Sequence, residues 1–67
     1  MARLFTGDKD KRENDVLRLL VSHPFGLRES DISAELGWDR RTTNNYLRVL
    51  RDRKLIYKEG HEWYIED

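Results

Sequence analysis

Apolar residues recur along the chain with helical spacing in three stretches and with strand-like spacing in two short ones. From Lys9 the sequence uses good helix formers and closes on Val16-Leu17-Arg18-Leu19-Leu20-Val21, where at about 100° per residue Val16, Leu17, Leu19 and Leu20 share one broad face. The spacing predicts a first helix over 9–22, with Asp8 as its cap and Asp10 and Glu13 in early turns, where the helix dipole favours negative charge. Pro24 ends it, because a proline cannot donate to the ladder and disfavours helical geometry at the residue before it. Ahead of this helix, Leu4-Phe5 stands without a lasting period, which predicts a flexible tail or a short edge strand over 1–7.

Phe25-Gly26-Leu27 reads as a connector, and Arg28–Leu36 as a short second helix whose inward residues are Leu27, Ile32 and Leu36. Gly37 stops it, since glycine enters the left-handed region without a Cβ clash. Two residues later Asp39 is a good N-cap for a third helix from Arg40 to about Lys54. On this helix Thr43, Tyr46, Leu47 and Leu50 fall within roughly one third of the circle and form the buried stripe. Arg41, Asn45, Arg48 and Asp52 lie opposite, flanked by Asn44, Val49 and Arg51. Then Leu55-Ile56-Tyr57-Lys58 and Glu62-Trp63-Tyr64-Ile65, two runs rich in β-formers around Glu59-Gly60-His61, predict a hairpin. Trp63 and Ile65 should face the core and Tyr64 should face away. The expected fold is mainly α with a small β-hairpin: a winged helix-turn-helix over 8–67, a three-helix bundle plus a two-stranded wing.

Composition narrows the function. Sixty-seven residues make one small domain, and Leu, Ile, Val and Phe together supply 17 of them, above the roughly 20% below which chains tend to stay disordered. There is no cysteine, so no disulfide framework and no thiolate zinc site. Apolar runs are far shorter than the about 20 residues a membrane span needs, so the expectation is a soluble, cytoplasmic protein with no membrane partner. His23 and His61 stand apart without ligand spacing, Ser22-His23 is mere adjacency, and no glycine-rich phosphate loop is present, so neither a metal, a cofactor nor a catalytic residue is expected. The 13 basic and 13 acidic side chains cancel, which argues against bulk attraction to polyanions. Their distribution is uneven, however: residues 1–37 carry six basic and seven acidic side chains, 38–54 carry six and two, and 55–67 carry one and four. The segment 38–54 therefore holds a local excess of +4, and residues 55–67 one of −3.

The stretch from Gly26 through Leu36-Gly37-Trp38-Asp39 to Asn44-Asn45-Tyr46-Leu47-Arg48-Val49-Leu50 resembles helices two and three of prokaryotic winged-helix transcriptional regulators. It is similar to the MarR, ArsR and IclR groups and to the N-terminal domains of WYL-type regulators, over about residues 9–65. The resemblance implies sequence-specific binding of double-stranded DNA, with the third helix in the major groove and the wing on backbone or minor groove. The residues agree with the first half: Arg and Asn on one outward face can pair in bidentate fashion with guanine and adenine edges. Recognition helices read with their N-terminal half, which nominates Arg40, Arg41, Asn44, Asn45 and Arg48. Thr42 and the amides at the helix start are candidates for phosphate, with Arg51 and Lys58 as flanking cations. Two adjacent asparagines cost a few tenths of a kcal/mol each in a helix interior, so something other than helix stability favours them. A module this small reads few base pairs, which implies a homodimer or a larger parent protein.

The hairpin departs from that family pattern. Lys58 and His61 are its only possible cations, among Glu59, Glu62, Glu66 and Asp67, so the wing either packs the core or contacts protein. Lys54 stands where these families often have glycine, and Trp38 where a small aliphatic residue is common. Trp38 either closes the core or marks a partner site, Thr43 is either a phosphate contact or buried, and Tyr46 either stacks on a base or joins the core. The alternative function is a winged-helix protein interaction module using the acidic wing with Trp38 or Tyr64. Binding of left-handed or single-stranded nucleic acid has only Trp63-Tyr64 to suggest it. Charge geometry separates the first two readings: DNA binding needs Arg41, Asn45 and Arg48 open to solvent, whereas protein docking tolerates them tied to Asp52 or the acidic C-terminus.

Overall fold

A computed structural model describes the backbone of residues 3–66 and the side chains of residues 11–66. The first helix, α1, spans Arg3–Val21. Its apolar face turns inward as the spacing predicts, with Val16 and Leu20 fully buried and Leu17 and Leu19 packed beside them. Its start does not match the expectation. Residues 3–7 are helical rather than a tail or edge strand, and Asp8 lies inside α1 instead of capping it. No proline interrupts this stretch, and Gly7 alone costs about 1 kcal/mol relative to Ala, too little to end a helix that gains a backbone bond per added residue. The part of the expected tail formed by Met1 and Ala2 lies outside the described residues. At the other end His23 Nδ1 lies 2.9 Å from the Leu19 carbonyl, so the imidazole caps the helix end that Pro24 closes.

The connector holds an element the sequence pattern does not show. Leu27–Arg28 is a two-residue strand, β1, followed directly by α2 (Glu29–Leu36) and α3 (Arg40–Asp52), and then by β2 (Ile56–Glu59) and β3 (Glu62–Ile65). The sheet order is β1-β3-β2, antiparallel throughout. Leu27 lies opposite Trp63, and Arg28 opposite Glu62. The hairpin is therefore three-stranded with β1, and Arg28 precedes α2 as its extended N-cap residue instead of opening it.

Both helices of the helix-turn-helix end in the same way. The amide of Trp38 bonds the Ser33 carbonyl across Gly37, which has φ +69°, and the amide of Leu55 bonds the Leu50 carbonyl across Lys54, which has φ +63°. These are Schellman terminations, and each needs a left-handed residue at its corner. α3 thus stops two residues short of the expected Lys54, because Lys54 makes the turn out of the helix although it is not glycine.

The core is Val16 and Leu20 of α1, Ile32 of α2, Leu47 and Leu50 of α3, and Ile56 and Trp63 of the sheet. Trp63 and Ile65 point inward and Tyr64 outward, as the alternation requires. Trp38 and Tyr46 pack on each other, ring centroids 5.3 Å apart, with the Arg12 guanidinium 6.0 Å from the Trp38 ring. Trp38 thus closes the edge of the core beside α3, and Tyr46, half-buried, packs on it from outside. One ion pair ties the far end of α3 to α1: Arg53 Nη1 donates to Glu13 Oε1 at 2.8 Å, and Glu13 is buried.

Candidate nucleic-acid interface

The position of α3 is set at its first turn. The Asp39 carboxylate accepts the Thr42 amide at 2.9 Å, the cap that its sequence position predicts. Hydrogen bonds from the Thr42 side chain and amide, then the nearby Arg41 charge, hold this carboxyl below its ordinary value. One turn further in, the Thr43 hydroxyl donates to the Asp39 carbonyl at 2.9 Å and accepts the Ser33 hydroxyl at 2.8 Å. The buried Ser33–Thr43 bond of this relay locks α3 to α2. Thr43 is fully buried, which removes it as a phosphate contact.

With Thr43, Leu47 and Leu50 inside, helical spacing turns Arg41, Asn45 and Arg48 outward, and all three are exposed. Among the described residues none of the three takes part in an ion pair or side-chain hydrogen bond. Arg40 is also exposed, and unpaired among the described residues, at the N-terminal end of the same helix. Arg51 differs, with its guanidinium 3.6 Å from the adjacent Asp52 carboxylate at the surface, a contact worth little in water. Asn44 differs more. It is half-buried, and its side-chain amide donates to Glu29 Oε1 at 3.3 Å, so it braces α3 against α2. Thr42 is half-buried too, and its amide is already satisfied by Asp39. The Asp39 carboxylate thus takes up the Thr42 amide at this helix start.

Side chains of other elements converge on the start of α3. Arg28, Arg40, Lys58 and His61 line an open cleft between the starts of α2 and α3 and the wing, together with Glu29, Ser30 and Trp63. Lys58 Nζ lies 5.7 Å from the Trp63 ring centroid, and the buried Trp63 indole N–H has no acceptor among the described residues. Arg28 and His61 are absent from the expected site. Arg28 reads in sequence as the opening of a helix, and only its pairing opposite Glu62 turns it toward the wing. His61 is visible in sequence as a possible wing cation, but its position opposite the start of α2 depends on the fold. The acidic wing is therefore not uniformly acidic: Lys58 and His61 face the cleft, while Glu59 and Glu62 sit on the other side of the sheet. Among the described residues no three acidic, histidine or cysteine side chains gather as a metal site, and no helix is long and apolar enough to cross a membrane.

Comparisons with known proteins agree with this architecture. The family model of the IclR helix-turn-helix domain matches residues 14–60. An HTH-type transcriptional regulator of Mycobacterium tuberculosis is 35% identical over 49 residues, which is 73% of this chain and 19% of that protein. The chain thus spans about a fifth of the length of that curated relative. No solved structure matches.

Proposed function

The chain belongs to the IclR helix-turn-helix domain family, and from that premise we propose that it is the DNA-binding domain of a transcriptional regulator, residues 8–67 acting as one winged-helix unit with α3 in the major groove. The observation that carries the reading is the open state of Arg41, Asn45 and Arg48: unpaired, exposed and on one face of a helix whose opposite face is locked into the core. Arg41 and Asn45 are assigned to base edges and Arg48 to a base edge or groove phosphate, each good bidentate pair contributing about 1–3 kcal/mol of discrimination. Arg40 and Lys58, with Arg28 and His61 across the cleft, are assigned to backbone phosphates, and Arg51 to a phosphate further along the groove. Asn44 and Thr42 act by fixing the helix: Asn44 through Glu29, and Thr42 through the Asp39 cap. Nothing in the arrangement calls for a catalytic step.

A single module of this kind buries roughly 600–1,000 Å² on DNA, so working affinity comes from a homodimer or a longer parent chain. The test is a titration of isotope-labelled protein with a mixed-sequence duplex, following backbone amides at low and physiological salt. Shifts concentrated in residues 39–51 that fade as salt rises are expected, with both Arg41→Ala and Arg48→Ala weakening the complex. Silence in α3 at low salt, or unchanged affinity in both variants, would end the reading.

A further inference from the structure

We propose that the outward face of the wing sheet, formed by Tyr57, Glu59, Glu62 and Tyr64, is a docking surface for an arginine-bearing segment of a partner protein. It is separate from the α3 surface assigned to DNA. The strand register sets its composition. Tyr57 lies directly opposite Tyr64, and Glu59 opposite Glu62, while Ile56 and Ile65 pair on the inner face and Trp63 turns into the core.

The two tyrosines form a fixed platform. Their rings stack with centroids 5.2 Å apart and planes 16° apart. Tyr64 is also backed from below: a Cβ added at Gly26, which has φ +91°, would stand 2.8 Å from the Tyr64 ring. With backbone on one side and Tyr57 on the other, the ring is held between two neighbours, which reduces the ordering needed when a ligand arrives. Tyr57 remains 41% exposed, and Phe25, beside Gly26 in the chain, is 90% exposed. Phe25 and the side of Tyr57 turned away from Tyr64 are thus left in water.

Charge selects the partner. Glu59 and Glu62 face each other across the strands, an arrangement that destabilises a sheet when both are ionised. Glu62 has partial relief from Arg28, whose Nε lies 3.7 Å from its carboxylate, while Glu59 has no cation partner among the described residues. Burial, and then the Glu62 and Glu59 carboxylates, push the Tyr64 phenol above its ordinary value, so their field reaches the ring. A phosphate backbone is repelled here, whereas a guanidinium can lie flat on the exposed Tyr57 ring while bonding a carboxylate. Arginine suits this better than lysine, because its planar fork stacks and binds in bidentate fashion.

The probe is a capped peptide of alternating arginine and glycine, titrated into labelled protein, with the lysine counterpart of equal length as control. Saturable shifts confined to residues 57–64 and to Phe25 and Gly26 are expected, with the arginine peptide binding more tightly. Tyr57→Ala should weaken it by about twofold to fivefold, and Glu59→Gln with Glu62→Gln by about threefold to tenfold. The Arg41→Ala, Arg48→Ala double variant should bind the peptide unchanged, which separates this surface from the DNA reading. Four results would overturn the proposal: shifts spread over Asp31, Glu35 and Asp52 alike, equal binding of both peptides, indifference to Tyr57→Ala in a variant whose spectrum shows an intact fold, or shifts of the tyrosine face on diluting the protein alone, which would give the surface to a second copy.

Discussion

Thr43→Val removes one hydroxyl from the relay between α2 and α3 while keeping the shape of the side chain. Thr43 is fully buried and Ser33 is 8% exposed, so water cannot replace the lost partner. The Asp39 carbonyl keeps the Thr43 amide at 3.1 Å, which leaves the Ser33 hydroxyl as the one donor stranded by the change. A buried donor without an acceptor costs about 1–3 kcal/mol. A chain of this size has a total stability of about 3–10 kcal/mol at the usual 0.05–0.15 per residue, so the loss is a large fraction of it. At about 4–8 °C per kcal/mol, Tm should fall by about 5–20 °C. Ser33→Ala alone should cost less, because the Thr43 hydroxyl still donates to the Asp39 carbonyl at 2.9 Å. The double variant removes both hydroxyls and should lose less than the sum of the two singles by about 1 kcal/mol. Urea and thermal unfolding of the four proteins, followed by circular dichroism, complete the cycle. Additive singles would show that the two hydroxyls do not depend on each other, and that the relay does not hold the turn.

Lys54→Gly should stabilise the domain by about 0.5–1 kcal/mol, since relief of a left-handed lysine exceeds the extra entropy of glycine in the unfolded chain; a lower Tm would contradict the strained corner. Among the glycines, Gly26→Ala should destabilise more than Gly37→Ala, because a methyl at Gly26 meets the Tyr64 ring at 2.8 Å whereas one at Gly37 meets nothing within 4 Å; thermal unfolding of both variants ranks them. Asp39 titrates lower in the folded protein than its ordinary 3.8, so its stabilising effect is complete above that value and is lost as pH falls through and below it. Unfolding followed from pH 5 to 2.5 should therefore show a loss that is smaller in Asp39→Asn, and equal slopes would remove the cap from the account.

Long-period features were legible in the sequence and register-dependent ones were not. The apolar stripe of α3 and the cap at Asp39 follow from spacing and side-chain chemistry confined to a few residues, and the structure repeats them save that Tyr46 is only half-buried. β1 is invisible for the opposite reason. Two residues cannot display alternation, and Leu27–Arg28 becomes a strand only because β3 lies beside it, more than thirty positions away. The helical state of residues 3–7 was missed because the apolar period fades there while nothing stops the helix. In the site, a helical wheel identifies which side chains of α3 leave the core but not which of them a neighbouring element captures. Asn44 and Asn45 look equivalent on paper, yet Glu29 of α2 reaches only Asn44. Arg28 was lost to the cleft for the same reason as β1, since its role rests on pairing.

Arg28 also joins the two surfaces assigned to the wing, and this has a measurable consequence. Its side chain lines the cleft with Arg40, Lys58 and His61, while its Nε faces the Glu62 carboxylate at 3.7 Å. Both partners are substantially exposed, so the pair itself is worth about 0–1 kcal/mol. That figure limits how strongly Glu62 can withhold Arg28 from a phosphate. Glu62→Gln should therefore raise affinity for duplex DNA by up to about fivefold, and by less as salt screens the carboxylate. The gain should vanish when Arg28 is already Gln, because no cation is then left to release. By reciprocity, an arginine-bearing segment that engages Glu62 on the outer face should favour DNA in the cleft, within the same limit. Fluorescence anisotropy with a labelled duplex, run on the two single variants and the double, measures the coupling. Equal gains from Glu62→Gln in both Arg28 backgrounds would mean that Glu62 acts on DNA through the general field of the wing, and that the ion pair couples nothing.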